Sequence, residues 1–135
     1  MAPSLDTNCL LRWVLNDVPA QAEQISALLR GNDELCVSDQ SLCEFVYVLS
    51  EVYQLERGDI VSSLKLLMSE SKISFDRQVW TAVVKGYSAH PKLSVVDVLL
   101  VEQAHRSGNV PIYTFDKKLA AQMENAALVP ESGPL

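Results

Sequence analysis

The segment SLDTN at residues 4–8 contains the pattern on which the fold prediction depends. Its first two residues predict a brief β-strand, and the aspartate, threonine and asparagine that follow are residue types that commonly begin helices. The helix after them is predicted to present one apolar face, formed by residues 10, 11, 14 and 15. The carboxylate of Asp6 is therefore expected where a strand gives way to a helix.

The same alternation of strand and helix continues along the rest of the chain. Four further strands are predicted, LCV at residues 35–37, ISF at 73–75, VPIYT at 110–114 and AALV at 126–129, with helical patterns between them. Because strands and helices alternate, the sequence predicts an α/β fold with a parallel sheet covered by helices on both faces. The connections between parallel strands are expected to be right-handed.

Length and composition predict a single domain over residues 1–135. The chain is 48% hydrophobic and 21% charged, which is typical of a folded protein and not of a disordered one. No apolar run approaches the roughly 18 residues of a membrane span, and the first residues lack the features of a signal peptide. Cys9, Cys36 and Cys43 lie in apolar stretches without CxxC spacing, so we expect buried, reduced thiols and a cytoplasmic location.

Four carboxylates follow predicted strands or lie in the first turns of the next helices: Asp6, Glu44, Asp97 and Asp116. The carboxyl ends of parallel strands share one edge of an open sheet, and ligands bind there. Crowded carboxylates at that edge should repel one another and have raised pKa values, unless Mg²⁺ or Mn²⁺ lies between them. The sequence therefore predicts a metal-dependent enzyme that acts on phosphate esters.

Each of these acids also has an explanation that involves no catalysis. Asp6 and Asp116 could be helix N-caps, Asp97 could complete a capping box with Ser94, and Glu44 could be a solvated surface residue. The catalytic interpretation is favoured at Asp97, because it projects opposite the polar side of its helix and no lysine or arginine of the segment is in register with it. Polar residues at positions 102, 103 and 106 form that opposite side.

Two further polar residues are candidates for supporting roles. Thr114 lies two residues before Asp116, so both side chains are expected on one face of the strand end. Asn8 stands two residues after Asp6 and could orient its carboxylate or simply cap the helix. No phosphate-binding glycine loop, GxSxG elbow or HExxH pair is present, so metal-activated water is the simplest chemistry available. A net charge of −6 argues against a basic surface that coats nucleic acid, but not against a nuclease.

Four segments in this order resemble the PIN-domain family, and specifically its VapC-type toxins: LDTN at residues 5–8, SLCEF at 41–45, LSVVD at 93–97 and YTFDKKL at 113–119. The resemblance implies a three-layer α/β/α sandwich with strand order 3-2-1-4-5. It implies a Mg²⁺- or Mn²⁺-dependent endoribonuclease that forms a homodimer and is paired with a small antitoxin. Its implied catalytic and metal-binding residues are Asp6, Glu44, Asp97 and Asp116, supported by Asn8 and Thr114.

Two other functions remain open at this point. A receiver-like signalling module could use Asp76 as a phosphoacceptor, and a PIN-like scaffold could bind a partner without catalysis. In the toxin interpretation, the antitoxin is expected to insert an arginine or lysine into the acidic pocket. It should dock on apolar side chains of the early helices that exceed what one core-facing stripe needs, namely Leu11, Trp13, Leu15, Tyr47 and Val48.

Overall fold

Helices alternate with short parallel strands over residues 2–132, the part of the chain that this computed structural model describes. The chain divides into two compact units, residues 1–80 and residues 81–135. The elements are α1 (Thr7–Leu15), α2 (Pro19–Gly31), β1 (Leu35–Cys36), α3 (Asp39–Glu51), α4 (Arg57–Ser69), β2 (Ile73–Ser74), α5 (Arg77–Ala89), α6 (Val95–Arg106), β3 (Ile112–Thr114), α7 (Lys117–Gln122) and β4 (Ala126–Leu128). None of the described helices has both the length and the apolar character that a membrane span requires.

The sheet of the first unit is parallel, as predicted. β1 pairs with β2 so that Leu35 lies opposite Ile73, and Ser4 forms an isolated parallel bridge with Cys36. The Leu5 N–H donates to the Cys36 carbonyl at 2.9 Å. The first predicted strand is therefore reduced to one bridge, because Pro3 has no N–H to donate and helix α1 begins at Thr7.

The second unit has its own parallel pair, in which Ile112 of β3 lies opposite Ala126 of β4. β3 begins at Ile112 and not at Val110 as predicted, because Pro111 cannot donate to the ladder. The pairs β2–β1, β1–Ser4 and β3–β4 confirm the α/β class. The adjacency of the first and fourth predicted strands and the three-layer arrangement remain predictions.

Large apolar side chains form the core of the first unit. Leu10, Phe45, Leu49 and Trp80 have no exposed surface, and each such burial stabilises the fold by roughly 1.5–3 kcal/mol. The indole N–H of Trp80 donates to Asp39 Oδ1 at 2.8 Å, so this buried polar group has a partner. The amino-terminal ends of α3 and α5 are thereby connected inside the first unit.

The two long helical segments of the second unit approach each other closely at a glycine. A Cβ atom placed on Gly86 of α5 would lie 2.7 Å from Cγ1 of Val98 on α6, which is closer than two carbons can pack. Val83 and Val98 have no exposed surface. The absence of a side chain at Gly86 therefore determines how near the backbones of α5 and α6 can come.

Candidate active site

Asp6 is the N-cap of α1, with extended backbone angles and an exposed side chain. Its Oδ1 accepts a hydrogen bond of 3.0 Å from the backbone N–H of Cys9. Hydrogen bonds from Cys9, chiefly from its backbone N–H, hold the pKa of the Asp6 carboxyl below its usual value of 3.8. The expectation that crowding raises this pKa was wrong for Asp6, because stabilisation of the ionised form by the cap is the larger effect.

Glu44 lies on α3 and is connected to the start of α1 by a side-chain hydrogen bond. The hydroxyl of Thr7 donates to Glu44 Oε2 at 3.0 Å, although 37 positions separate the two residues. Thr7 is only 9% exposed, which makes it the buried polar side chain of this region. Since Thr7 follows Asp6 directly, the first unit brings the neighbourhoods of Asp6 and Glu44 together. The sequence pattern predicts no role for Thr7 beyond helix initiation.

Asp97 completes a capping box at the start of α6. The backbone N–H of Ser94 donates to Asp97 Oδ2 at 3.1 Å, and the backbone N–H of Asp97 donates to Ser94 Oγ at 3.1 Å. The side chain is half-buried. The capping box that was the alternative explanation for Asp97 is therefore present, and a backbone N–H of its own segment is one partner of the carboxylate. Metal binding by Asp97 stays a prediction.

Asp116 and Thr114 form one local hydrogen-bonded group in the second unit. Asp116 caps α7, and its Oδ1 accepts from the backbone N–H groups of Lys118 at 2.9 Å and Leu119 at 3.2 Å. The Thr114 hydroxyl oxygen accepts from the backbone N–H of Asp116 at 2.9 Å. Thr114 thus positions the backbone of Asp116. The predicted hydrogen bond from Thr114 to a carboxylate or to a metal-bound water stays a prediction.

The four carboxylates are suited in kind to a hard divalent cation, since they supply oxygen ligands. In each of these carboxylates, only one of the two oxygens accepts the hydrogen bonds described above. Within residues 2–132, however, no group of three or more His, Cys, Asp or Glu side chains is close enough to hold a metal ion. Asp6 and Glu44 belong to the first unit and Asp97 and Asp116 to the second, so their convergence on one metal remains a prediction.

A network around Arg12 closes the turn between α1 and α2. Arg12 Nη1 donates to both carboxylate oxygens of Asp17 at 2.7 Å and to the Tyr53 hydroxyl at 3.4 Å. Asn16 between the helices has φ 51°, a left-handed conformation that asparagine tolerates better than most residues. The hydrogen bond from Arg12 is the main cause that lowers the pKa of Asp17.

Asn8, the other predicted supporting residue, faces a pocket of about 480 Å³ beside this network. The pocket wall also contains Asp6 and Arg12 of α1, together with Gln21 and Gln24 of α2. Since α1 and α2 are joined by a short turn, residues 8–25 alone supply nearly all of this surface. No motif in the sequence indicated it, because the two helices must pack before the pocket exists.

The structure also corrects the expected docking surface on the early helices. Leu11 is only 2% exposed and belongs to the core, so it cannot contribute to such a surface. Trp13, Leu15 and Val48 are half-buried. Tyr47 is 63% exposed and is the one member of the predicted set that lies clearly open to solvent among the described residues.

The three cysteines are free thiols, as predicted, but they are half-buried and not fully buried. Burial, followed by the charge of Asp39, raises the pKa of the Cys43 thiol to about 11. Burial also raises the pKa of Cys9. Both thiols therefore stay protonated at neutral pH and are poor nucleophiles, which leaves no support for cysteine chemistry at these positions.

Asp76, the phosphoacceptor of the alternative signalling function, caps the start of α5. Its Oδ1 accepts from the backbone N–H of Val79 at 3.1 Å.

In a comparison with known protein families, a model described as the PIN domain matches residues 4–124. This range contains all four candidate carboxylates and extends over parts of both units. Comparison with curated proteins gave no match.

Proposed function

Because this chain belongs to the PIN-domain family, we propose that it is a metal-dependent endoribonuclease and the toxin of a toxin–antitoxin pair, built as one nuclease domain over residues 1–135. PIN domains are nuclease folds and are generally metal-dependent ribonucleases. The observation that carries the proposal is the family match over residues 4–124, which includes Asp6, Glu44, Asp97 and Asp116. The signalling module is not proposed, because the matched family is one of nucleases.

In the proposed mechanism, the four carboxylates would hold one or two Mg²⁺ or Mn²⁺ ions. When bound, such a cation supplies activation of water and stabilisation of charge on the leaving oxygen of the phosphodiester. Asp6 and Asp116 can contribute their second oxygens while their caps hold the side chains in place. Glu44 or Asp97 orients the attacking water, and the Thr7 hydroxyl positions the Glu44 carboxylate.

The test uses purified protein and total RNA, with Mn²⁺ or with EDTA, and maps the new RNA ends. We expect cleavage with Mn²⁺ and none with EDTA. Asp116→Asn should lower cleavage by at least about 100-fold, because the amide keeps the helix cap but removes the charge that binds metal. Asp33→Asn, in an exposed loop, is the matched control and should cleave like the wild type. Equal cleavage with and without metal would contradict the proposal.

We further propose that an antitoxin holds the protein inactive by placing an arginine or lysine in the acidic pocket. A cationic side chain can satisfy the carboxylates by charge-assisted hydrogen bonds and would compete with the metal for the same oxygens. The exposed Tyr47 supports docking on the early helices. Inhibition should weaken as Mn²⁺ is raised. An antitoxin that inhibits equally at every Mn²⁺ concentration would contradict this mechanism.

The resemblance implies a homodimer, and the free thiols favour the cytoplasm; both features are part of the proposal. Val96 and Leu100 are 56% and 48% exposed and lie four residues apart on α6, where they form an apolar stripe that supports self-association. Light scattering coupled to size exclusion should show twice the chain mass. Val96→Glu should shift the protein to a monomer, whereas Glu102→Gln on the same helix should not.

A further inference from the structure

The pocket between α1 and α2 has only one of the four candidate carboxylates, Asp6, in its wall. Its volume of about 480 Å³ is within the range of small-molecule sites, which span roughly 300–1,000 Å³. Three of its lining side chains are primary amides: Asn8 on α1, and Gln21 and Gln24 on α2. Each amide offers donors and an acceptor in one plane. Such groups recognise uncharged, planar, polar ligands.

Helical spacing explains how these amides are placed. Gln21 and Gln24 are three residues apart on α2, so they lie on one face with Ile25. Asn8 and Arg12 are four residues apart on α1 and share a face in the same way. Ile25 is only 8% exposed and provides an apolar part of the wall. The pocket therefore combines a hydrogen-bonding rim with an apolar surface.

The charges around the pocket argue against an anion as its ligand. Arg12 is the cationic side chain in the described lining, and Asp17 accepts two hydrogen bonds of 2.7 Å from its Nη1. Its charge is thus largely neutralised, while its guanidinium is held by Asp17 and Tyr53. Asp6 contributes a negative charge to the same wall. A phosphate would be repelled there, whereas a flat neutral ring can stack on a fixed guanidinium or on an apolar side chain.

We propose that this pocket binds one unstacked nucleobase of the RNA and that Gln21 and Gln24 read its hydrogen-bonding edge. Nucleobases combine apolar faces with donors and acceptors in the plane of the ring, and glutamine and asparagine pair with such edges. Because Asp6 lies in the same wall, the bound base is adjacent to the proposed site of cleavage. The pocket then determines which base stands beside the cleaved bond. This inference rests on the proposed nuclease function and adds its specificity determinant.

The direct test measures base binding without metal or cleavage. The four uncharged nucleosides are titrated into the ¹⁵N-labelled full chain in EDTA, and the side-chain amide signals are followed by NMR. We expect shifts at Asn8, Gln21 and Gln24 that differ among the four bases. Gln24→Ala should raise the dissociation constant of the preferred nucleoside about 5- to 10-fold, as loss of one or two hydrogen bonds predicts. Gln40→Ala, an exposed position on α3 outside the pocket, is the control.

A second measurement distinguishes reading of a base from a merely structural role. Gln24→Glu replaces a donor and an acceptor by acceptors alone, so it should change the preferred base at one position in a randomised RNA cleaved with Mn²⁺. Binding that is identical for all bases, or unchanged in Gln24→Ala, would overturn the inference even if Mn²⁺-dependent cleavage is intact. Base-selective shifts in a protein that cleaves no RNA would uphold the pocket and overturn the nuclease function.

Discussion

The carboxylate of Asp6 is both the cap of α1 and a proposed metal ligand, and the two roles respond differently to substitution. Asp6→Asn keeps an effective N-cap, so its free energy of unfolding should stay within about 0.5 kcal/mol of the wild type. Asp6→Ala loses the hydrogen bond to the Cys9 N–H and should cost about 1 kcal/mol. Both should abolish Mn²⁺-dependent cleavage. If Asp6→Asn cleaves RNA normally while Asp6→Ala is only less stable, Asp6 is a cap and nothing more.

Thr7 is expected to matter through Glu44 and not through contact with RNA. Thr7→Val keeps the shape of the side chain but removes the hydroxyl that donates to Glu44 Oε2. We expect cleavage to fall by roughly 10- to 100-fold, the usual cost of losing a group that orients a metal-binding side chain. Thr7→Ser should restore most of the activity, because it restores the donor. Equal activity of the valine and serine variants would mean that the hydrogen bond has no functional role.

At the level of elements, the turn between α1 and α2 should be sensitive to acid. The pKa of Asp17 is lowered in the folded protein, chiefly by its hydrogen bond from Arg12. A lowered pKa means that its stabilising contribution is complete above the unfolded-state value, close to 4, and is lost as the pH falls through the folded-state value. The difference in melting temperature between wild type and Asp17→Asn should be constant from pH 7 to 5 and should shrink below about pH 4.

The salt dependence of the melting temperature is a second test of the Arg12–Asp17 pair. The pair is partly exposed, so added salt should screen it and reduce the difference in melting temperature between wild type and Asp17→Asn at pH 7. A difference that persists unchanged at pH 2.5 would show that Asp17 acts through its shape or its helix start and not through its charge.

The close approach of α5 and α6 predicts an unusual effect of a glycine-to-alanine change. Alanine normally stabilises a helix interior, but at Gly86 its Cβ would lie 2.7 Å from Val98 Cγ1. Gly86→Ala should therefore destabilise the protein by about 1–3 kcal/mol in urea unfolding. Gly58→Ala on α4 meets nothing within 4 Å and should not destabilise it. Gly86→Ala should cost less in a Val98→Ala background than in the wild type, because Val98 Cγ1 is then absent. An equal cost in both backgrounds would mean that the two side chains do not clash.

Across the whole molecule, local sequence patterns predicted the elements well. The four strands found in residues 2–132 lie inside predicted strand segments, because apolar residues recur with different periods in strands and in helices. The two strand boundaries that differ from the prediction lie at prolines. Pro3 limits the first strand to one bridge, and β3 begins only at Ile112, after Pro111. Neither proline changes which strands pair. The parallel class could therefore be predicted although two strand boundaries could not.

The candidate site was predictable only in its local part. The caps at Asp6, Asp97 and Asp116 join residues no more than three positions apart, so residue type and spacing suffice to find them. The Thr7–Glu44 hydrogen bond spans 37 positions and depends on how α1 packs on α3. The same holds for the pocket between α1 and α2. Contacts of this kind follow from tertiary packing, which hydrophobic periodicity does not encode residue by residue.

The burial of Trp80, whose indole N–H donates to Asp39, makes tryptophan fluorescence a probe of the first unit. The chain contains two tryptophans, Trp80, which has no exposed surface, and Trp13, which is half-buried and follows Arg12. Acrylamide should quench the emission of Trp13 and leave that of Trp80 nearly unchanged. In Trp13→Phe, the remaining fluorescence would report unfolding of the first unit alone. Unfolding of this unit could therefore be followed by its own fluorescence, without a label.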